Sequence, residues 1–342
     1  MSLLKRENGI GFVKGTTWGT AVEPGTLNGI IVKSHSAGVN ERDVFINDEE
    51  YDHDMPTIQT LGNYPAVTGS MVLPFYYEGV EPILASMFGK YAGVDTAGII
   101  THNYEYDPVI SGLFHTIGYD EGDEVKAVES AVLNSMKMSV DDGMSLDVGY
   151  IGDKVAVESG FTTPLNLTYP TTGVDKFKLL EATVSINAQD GSDFVGGDEV
   201  CVNNVEVNIE RGFEALEHCA GDEYIKEPIE VKAPVMSITL NFPKKDAKNK
   251  AYFGDFANGS LKKMKIKFTG SLISGSDYYD FEMNFPMLRI KSAVNYEQDS
   301  PIPATVELEV LKASSAPTGM SKIVPYATLI NERAVLTGYP SI

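Results

Sequence analysis

Residues 67–89, VTGSMVLPFYYEGVEPILASMFG, change their apolar period halfway along. Met71, Leu73 and Phe75 alternate, and period two puts them on one face of a strand. Ile83, Leu84, Met87 and Phe88 then recur at spacings of one, three and four, which gathers them on one side of a helix. The stretch reads as a strand running into a short helix, with Met71, Leu73 and Phe75 facing a core and packed on Ile83, Leu84 and Phe88. The expected fold is mainly β, with a helix laid on a sheet.

The same module returns downstream. Residues 234–256, PVMSITLNFPKKDAKNKAYFGDF, align so that Met71, Leu73 and Phe75 fall on Ile238, Leu240 and Phe242. After Pro243 come Tyr252, Phe253 and Phe256, again at spacings of one, three and four, in a Lys-rich segment whose other side would face water. The runs SAVLNSMKMSVDDG and YDFEMNFPMLRIKSAV correspond more loosely, each an alternating strand followed by turn residues. Two copies suit a chain of 342 residues with 43% apolar content.

EVCVNNVEVNIERG, LKKMKIKFTG and PATVELEVLKA are further alternating segments rich in β-branched residues. In the second of them Met264, Ile266 and Phe268 should face a core, leaving Lys263, Lys265 and Lys267 on a solvated face. Residues 159–176, SGFTTPLNLTYPTTGVDK, have the Thr, Pro and Gly content of a connector. A boundary near residue 170 divides the chain into a first repeat with an N-terminal arm, residues 1–170, and a second with a C-terminal extension, residues 171–342.

Composition narrows the function. The opening MSLLKRENGI interrupts any signal-like apolar run, and no later stretch approaches about 18 apolar residues, so neither secretion by that route nor a membrane helix is expected. Cys201 and Cys219 are the only cysteines, too few for a disulfide framework, and are expected to be free thiols in a reducing compartment. The net charge of −21 is uneven: residues 1–170 hold 9 Lys/Arg against 24 Asp/Glu, and residues 171–342 hold 18 against 24. So acidic a chain repels phosphate backbones and argues against a DNA-binding protein, although an acidic surface also serves solubility alone.

No phosphate-binding glycine loop, nucleophile elbow or metal-spaced histidine pair is present, so no enzyme and no cofactor is expected. His35, His102, His115 and His218 stand apart in the sequence and read as surface or hydrogen-bonded core residues. The NGS at 258–260 has no meaning without a secretory signal, and Trp18 reads as an arm residue tucked against an apolar surface. Residues 40–54, NERDVFINDEEYDHD, crowd Asp43, Asp48, Glu49, Glu50, Asp52 and Asp54 around His53, but lack the alternating ligands and turn glycine of a calcium loop.

GTTWGTAVEPGT at 15–26, the segment 64–89 and VLNSMKMSVDDG at 132–143 together resemble the tail tube proteins of long-tailed bacteriophages. The resemblance spans most of the chain and is strongest in residues 15–26 and 64–89. It implies a β-sandwich or half-barrel flanked by one helix in each repeat. Rings of subunits would close an inner β-barrel around a channel and stack into a tube that conducts the genome. It also implies a virion location after assembly in the bacterial cytoplasm, with a tape-measure protein and a tail terminator as partners. With two repeats per chain, three chains would complete a pseudo-sixfold ring, a trimer rather than a hexamer.

Within that picture the 40–54 loop reaches over a neighbouring subunit towards a basic partner such as Lys244, Lys245, Lys248 and Lys250. The channel wall should carry excess carboxylates, supplied mainly by the more acidic first repeat, so that DNA slides through unbound. The competing expectation is a carbohydrate-binding or adhesive β-sandwich using Tyr76, Tyr77, Tyr278 and Tyr279 as an exposed platform.

Overall fold

A computed structural model describes residues 9–37, 42, 44–47, 57–121, 124–140, 143–156, 159–170, 175–215, 221–243, 247–291 and 304–342. The first half runs β1 (Gly9–Lys14), β2 (Gly29–Ile30), β3 (Ser34–Ala37), β4 (Val44–Asn47), β5 (Thr57–Leu61), β6 (Val67–Pro74), α1 (Glu81–Phe88), β7 (Gly89–Thr96), β8 (Ile99–Tyr106), β9 (His115–Asp120), β10 (Val125–Val140), β11 (Met144–Gly152) and β12 (Val155–Ala156). The second half runs β13 (Ala182–Ala188), β14 (Glu199–Val200), β15 (Asn204–Glu210), β16 (Phe213–Glu214), β17 (Ile229–Glu230), β18 (Val235–Phe242), α2 (Ala247–Asn258), β19 (Leu261–Ser274), β20 (Asp277–Ile290), β21 (Ala304–Leu311) and β22 (Tyr326–Asn331). The fold is mainly β, and every ladder between these strands is antiparallel.

The two halves share one topology. In the first, β2 pairs with β1, β1 with β9, β9 with β10, β10 with β11, β11 with β6 and β6 with β3. In the second, the same path runs β14, β13, β19, β20, β21, β18 and β15. Each half also carries a separate two-stranded hairpin, β4–β5 or β16–β17, and a helix directly after β6 or β18. The β7–β8 hairpin has no counterpart among the described residues of the second half.

A shared bulge fixes the register between the halves. The ladder of β9 and β10 slips between Val128 and Ala131, opposite Ile117 and His115; that of β19 and β20 slips between Phe285 and Leu288, opposite Met264 and Lys262. Bulges re-aim strands and are not interchangeable with regular pairing, so they serve as landmarks. Carried across β11 and β21, this register sets Tyr150 on Leu308 and, through their partners, Gly69 on Ile238. Pro74 then falls on Pro243 and Leu73 on Phe242, two residues from the alignment read from the apolar pattern. A slip of two leaves every side chain on the same face, which is why the pattern could not detect it.

Helix α1 carries Pro82 in its first turn, with the carboxylate of its first residue, Glu81, accepting from the Gly79 N–H at 2.9 Å, and ends at Gly89, whose φ of 92° is left-handed. A Cβ on Gly89 would also lie 3.1 Å from Asp107 and Ile110. Amphipathic spacing predicts one buried side, yet all eight residues of α1 are buried. It packs on β7, β8 and β10, and the segment after β22 covers its remaining side through Arg333, paired with Glu81 at 3.7 Å, and Tyr339, whose hydroxyl lies 3.2 Å from His115 Nε2.

Met71, Leu73, Phe75, Ile83, Leu84 and Phe88 are all buried, in one apolar cluster that continues through Ile238, Leu240, Phe242, Met264, Ile266 and Phe268. Phe75 and Phe281 meet between the halves, with Phe177 between Phe75 and Phe268 at centroid distances of 5.7 and 5.9 Å. Lys263 departs from its expected place on a solvated face. It is fully buried, and its Nζ donates to the carbonyls of Gly191, Ser192 and Thr318 at 2.7–2.9 Å. Lys263 stays in the row of Lys265 and Lys267, because the β13–β19 register is unbroken from Lys262 to Phe268 and both Lys263 and Lys265 reach the Phe194 ring; the loops carrying Gly191, Ser192 and Thr318 cover that end of the face. Lys265 and Lys267 stay half-exposed, beside Glu282 and Asp280.

Candidate functional site: a polar sheet face across both halves

Pairing between β10 and β15 joins the halves. Residues Ser135 to Val140 pair with Glu210 to Val205, so β3, β6, β11, β10, β15, β18 and β21 lie side by side in one antiparallel sheet. One face is apolar: Met136, Met138, Leu146, Val207, Ile238 and Leu308 point into the core. Strict alternation delivers short polar residues and charges to the other face.

On that face Ser36 and Ser70 hydroxyls are 3.1 Å apart, Ser139 and Ser145 are 3.3 Å apart, and Thr305 donates to Asn241 Oδ1 at 2.8 Å. Lys137 reaches across the junction to Glu206 at 3.0 Å. Asp147, Glu206, Glu210 and Glu307 share this face with Lys137, and Glu309 at its edge pairs with Arg289 of the adjoining β20. Most of the carboxylates come from the second half, although the first half is the more acidic overall. The physical reason is placement: much of the first half's acidic excess falls in the sequence segments 40–54 and 121–124 rather than in β6 and β11. Among the described residues this face is therefore polar and net negative, with no aromatic platform.

The other predicted site residues fall elsewhere. Asp43, Asp48, Glu49, Glu50, Asp52, Asp54, Lys244 and Lys245 lie outside the described residues; Lys248 and Lys250 belong to α2, with only their backbone described. Tyr77 and Tyr279 are buried and stacked on each other at 4.8 Å, Tyr76 lies under the Lys176 ammonium, and only Tyr278 is exposed. Those four tyrosines do not assemble into an exposed platform. Trp18 packs edge-on against Phe114 and donates its indole N–H to the Ile225 carbonyl.

Sequence reading missed a buried polar cluster under α1. Glu81 accepts from Asn331 Nδ2, whose Oδ1 accepts from His102 Nε2 at 2.9 Å, and His102 Nδ1 accepts from the Tyr91 hydroxyl at 2.8 Å. Burial lowers the His102 pKa. His115, stacked on Phe12 at 4.3 Å, is held neutral by burial with its pKa lowered to about 3. Its Nε2 lies 3.0 Å from Ser86 Oγ, but that hydroxyl donates to the Pro82 carbonyl, so the pair is an anchor for the helix and not an activated nucleophile. No sequence spacing marks this cluster, since Glu81 and Asn331 are far apart in the chain. Among the described residues no group of three or more His, Cys, Asp or Glu is placed to hold a metal ion.

The profile of a family described as phage tail tube protein matches residues 6–310. No curated protein matches the chain. The family match ends in β21, leaving β22 and the segment that covers α1 outside it.

Proposed function

Since the chain belongs to the phage tail tube protein family, we propose that the polar sheet face lines the channel of a tail tube, through which the genome passes without being held. Membership gives the structural role, a self-assembling component of the virion tail. The observation that carries the finer reading is the β10–β15 ladder, which joins the two halves side by side in one sheet with its polar face turned away from the core. Repeated around an axis, such a junction closes a barrel and leaves no free strand edge.

On this reading residues 1–170 and 171–342 are successive ring positions, and three chains complete a pseudo-sixfold ring. Rings stack, with the tape-measure protein inside and a terminator at the end, after assembly in the bacterial cytoplasm. Excess carboxylates on the wall repel phosphates within about 8 to 10 Å at physiological ionic strength, enough to guide a duplex without binding it. The negative wall is supplied mainly by the second repeat. The acidic 40–54 segment contacts a basic surface of a neighbour, with Lys244, Lys245, Lys248 and Lys250 as one candidate. Burial of Tyr77 and Tyr279 leaves the carbohydrate-binding alternative without support.

Electron microscopy of the purified assembly with mass measurement tests this. Stacked rings of three chains with the β10–β15 sheet innermost are expected. Isolated particles, or rings of six full chains, would refute it.

A further inference from the structure

The junction inside the chain shows how one repeat receives the next. The β16–β17 hairpin of the second repeat folds over the first, burying Phe213 among Phe114, Val132, Trp18 and Ile151. The backbone N–H groups of Phe213 and Arg211 donate to Asn134, and the Lys154 ammonium sits 4.9 Å from the Tyr224 ring. The first repeat has its own hairpin at the same point of the topology: Val44 pairs with Leu61 as Phe213 pairs with Glu230.

The shared bulge identifies the surface on the second repeat that corresponds to the receiving one. Phe114, Val132 and Ile151 map onto Leu261, Arg289 and Glu309, with matching cross-strand partners; Asn134 and Lys154 map onto Lys291 and Lys312. Where the first repeat is apolar and covered, the second is charged and open. Arg289 pairs with Glu309 at the surface, Leu261 is 38% exposed, and Lys291 and Lys312 are exposed.

We infer that this basic face of the second repeat is the docking surface for the β4–β5 hairpin of a second copy of the chain, making the junction between chains ionic where the junction within a chain is apolar. The inference rests on the ring reading above. Topology selects the hairpin as occupant, and charge agrees: residues 40–54 carry seven carboxylates against Arg42, facing Arg289, Lys291 and Lys312 against Glu309. Rings should then open at chain junctions as salt rises, since screening contracts to about 3 Å at 1 M, while the repeats of each chain stay together.

Native mass spectrometry and thermal unfolding of the full chain across ionic strength test this, comparing wild type with the triple variant R289E/K291E/K312E. Wild type should form multi-chain rings at low salt that fall to single folded chains near about 1 M. The triple variant should remain single chains at all salts, with the unfolding midpoint of wild-type single chains at high salt, and should regain rings when E49K/E50K/D52K is added in the same chain. A triple variant that assembles like wild type overturns the inference while leaving the ring reading intact. So does loss of assembly only on reversing Lys244, Lys245, Lys248 and Lys250. Absence of wild-type rings under every condition would overturn the ring reading itself and this inference with it.

Discussion

Phe75, just past the end of β6, and Phe281, in β20, meet with ring centroids 4.8 Å apart, each fully buried. The two repeats are thus in contact through aromatic packing as well as strand pairing.

Replacing Phe281 with Ala should therefore destabilise both repeats together. Truncating a buried Phe costs about 3–5 kcal/mol, and denaturant unfolding followed by near-ultraviolet and far-ultraviolet signals should shift as one transition. Two separated transitions would show that the repeats fold independently.

Leu73→Ala probes the core face of β6. With Leu73 at 1% exposure, a loss of about 2–5 kcal/mol is expected. An unchanged urea midpoint would remove Leu73 from the core.

Lys263 is the donor for three carbonyls. Lys263→Ala would leave them unsatisfied in a buried site, at about 1–3 kcal/mol each for those that water cannot reach. The urea midpoint should fall clearly, whereas Lys265→Ala and Lys267→Ala, at half-exposed ion pairs, should move it little. Equal effects at the three positions would contradict the carbonyl cage.

Glu78 sets a pH dependence. Burial, reinforced by neighbouring Glu81, raises its pKa from 4.5 to about 7. Its folded pKa lies above its unfolded one, so the stability it contributes is full below about 4.5 and is lost as pH rises through about 7. Glu78→Gln should flatten stability over that window and be more stable than wild type above it. A parallel pH profile for the two proteins would show that Glu78 does not titrate in this way.

The channel wall can be tested by reversing it. Assembled tubes carrying Glu206→Lys, Glu210→Lys and Glu307→Lys should acquire DNA binding that weakens steeply with salt, as counterion release requires, while wild-type tubes should retain none. Indifference of the triple variant to DNA would place another face in the channel.

Much of this architecture was legible because it rests on local periodicity. Met71, Leu73 and Phe75 declare their face by period two, and Ile83, Leu84 and Met87 declare a helix by period 3.6. The repeat was visible for the same reason, but its register was not, since only the bulges at Val128 and Phe285 distinguish a slip of two. Lys263 was misread because its partners Gly191, Ser192 and Thr318 come from distant loops that no alternation predicts. An acidic face was expected, but from the first repeat rather than the second, because net charge counts residues without saying which face of a strand holds them.

Strand β22 pairs on one side with β20 and on the other with β8, and the segment beyond it lies along Tyr91, whose N–H donates to the Pro340 carbonyl. The first repeat emerges from the ribosome early but lacks the cover for β8 and α1 until residues 326–341 have been synthesised. The first repeat is thus finished by a piece of chain that is made after the other strands of the second.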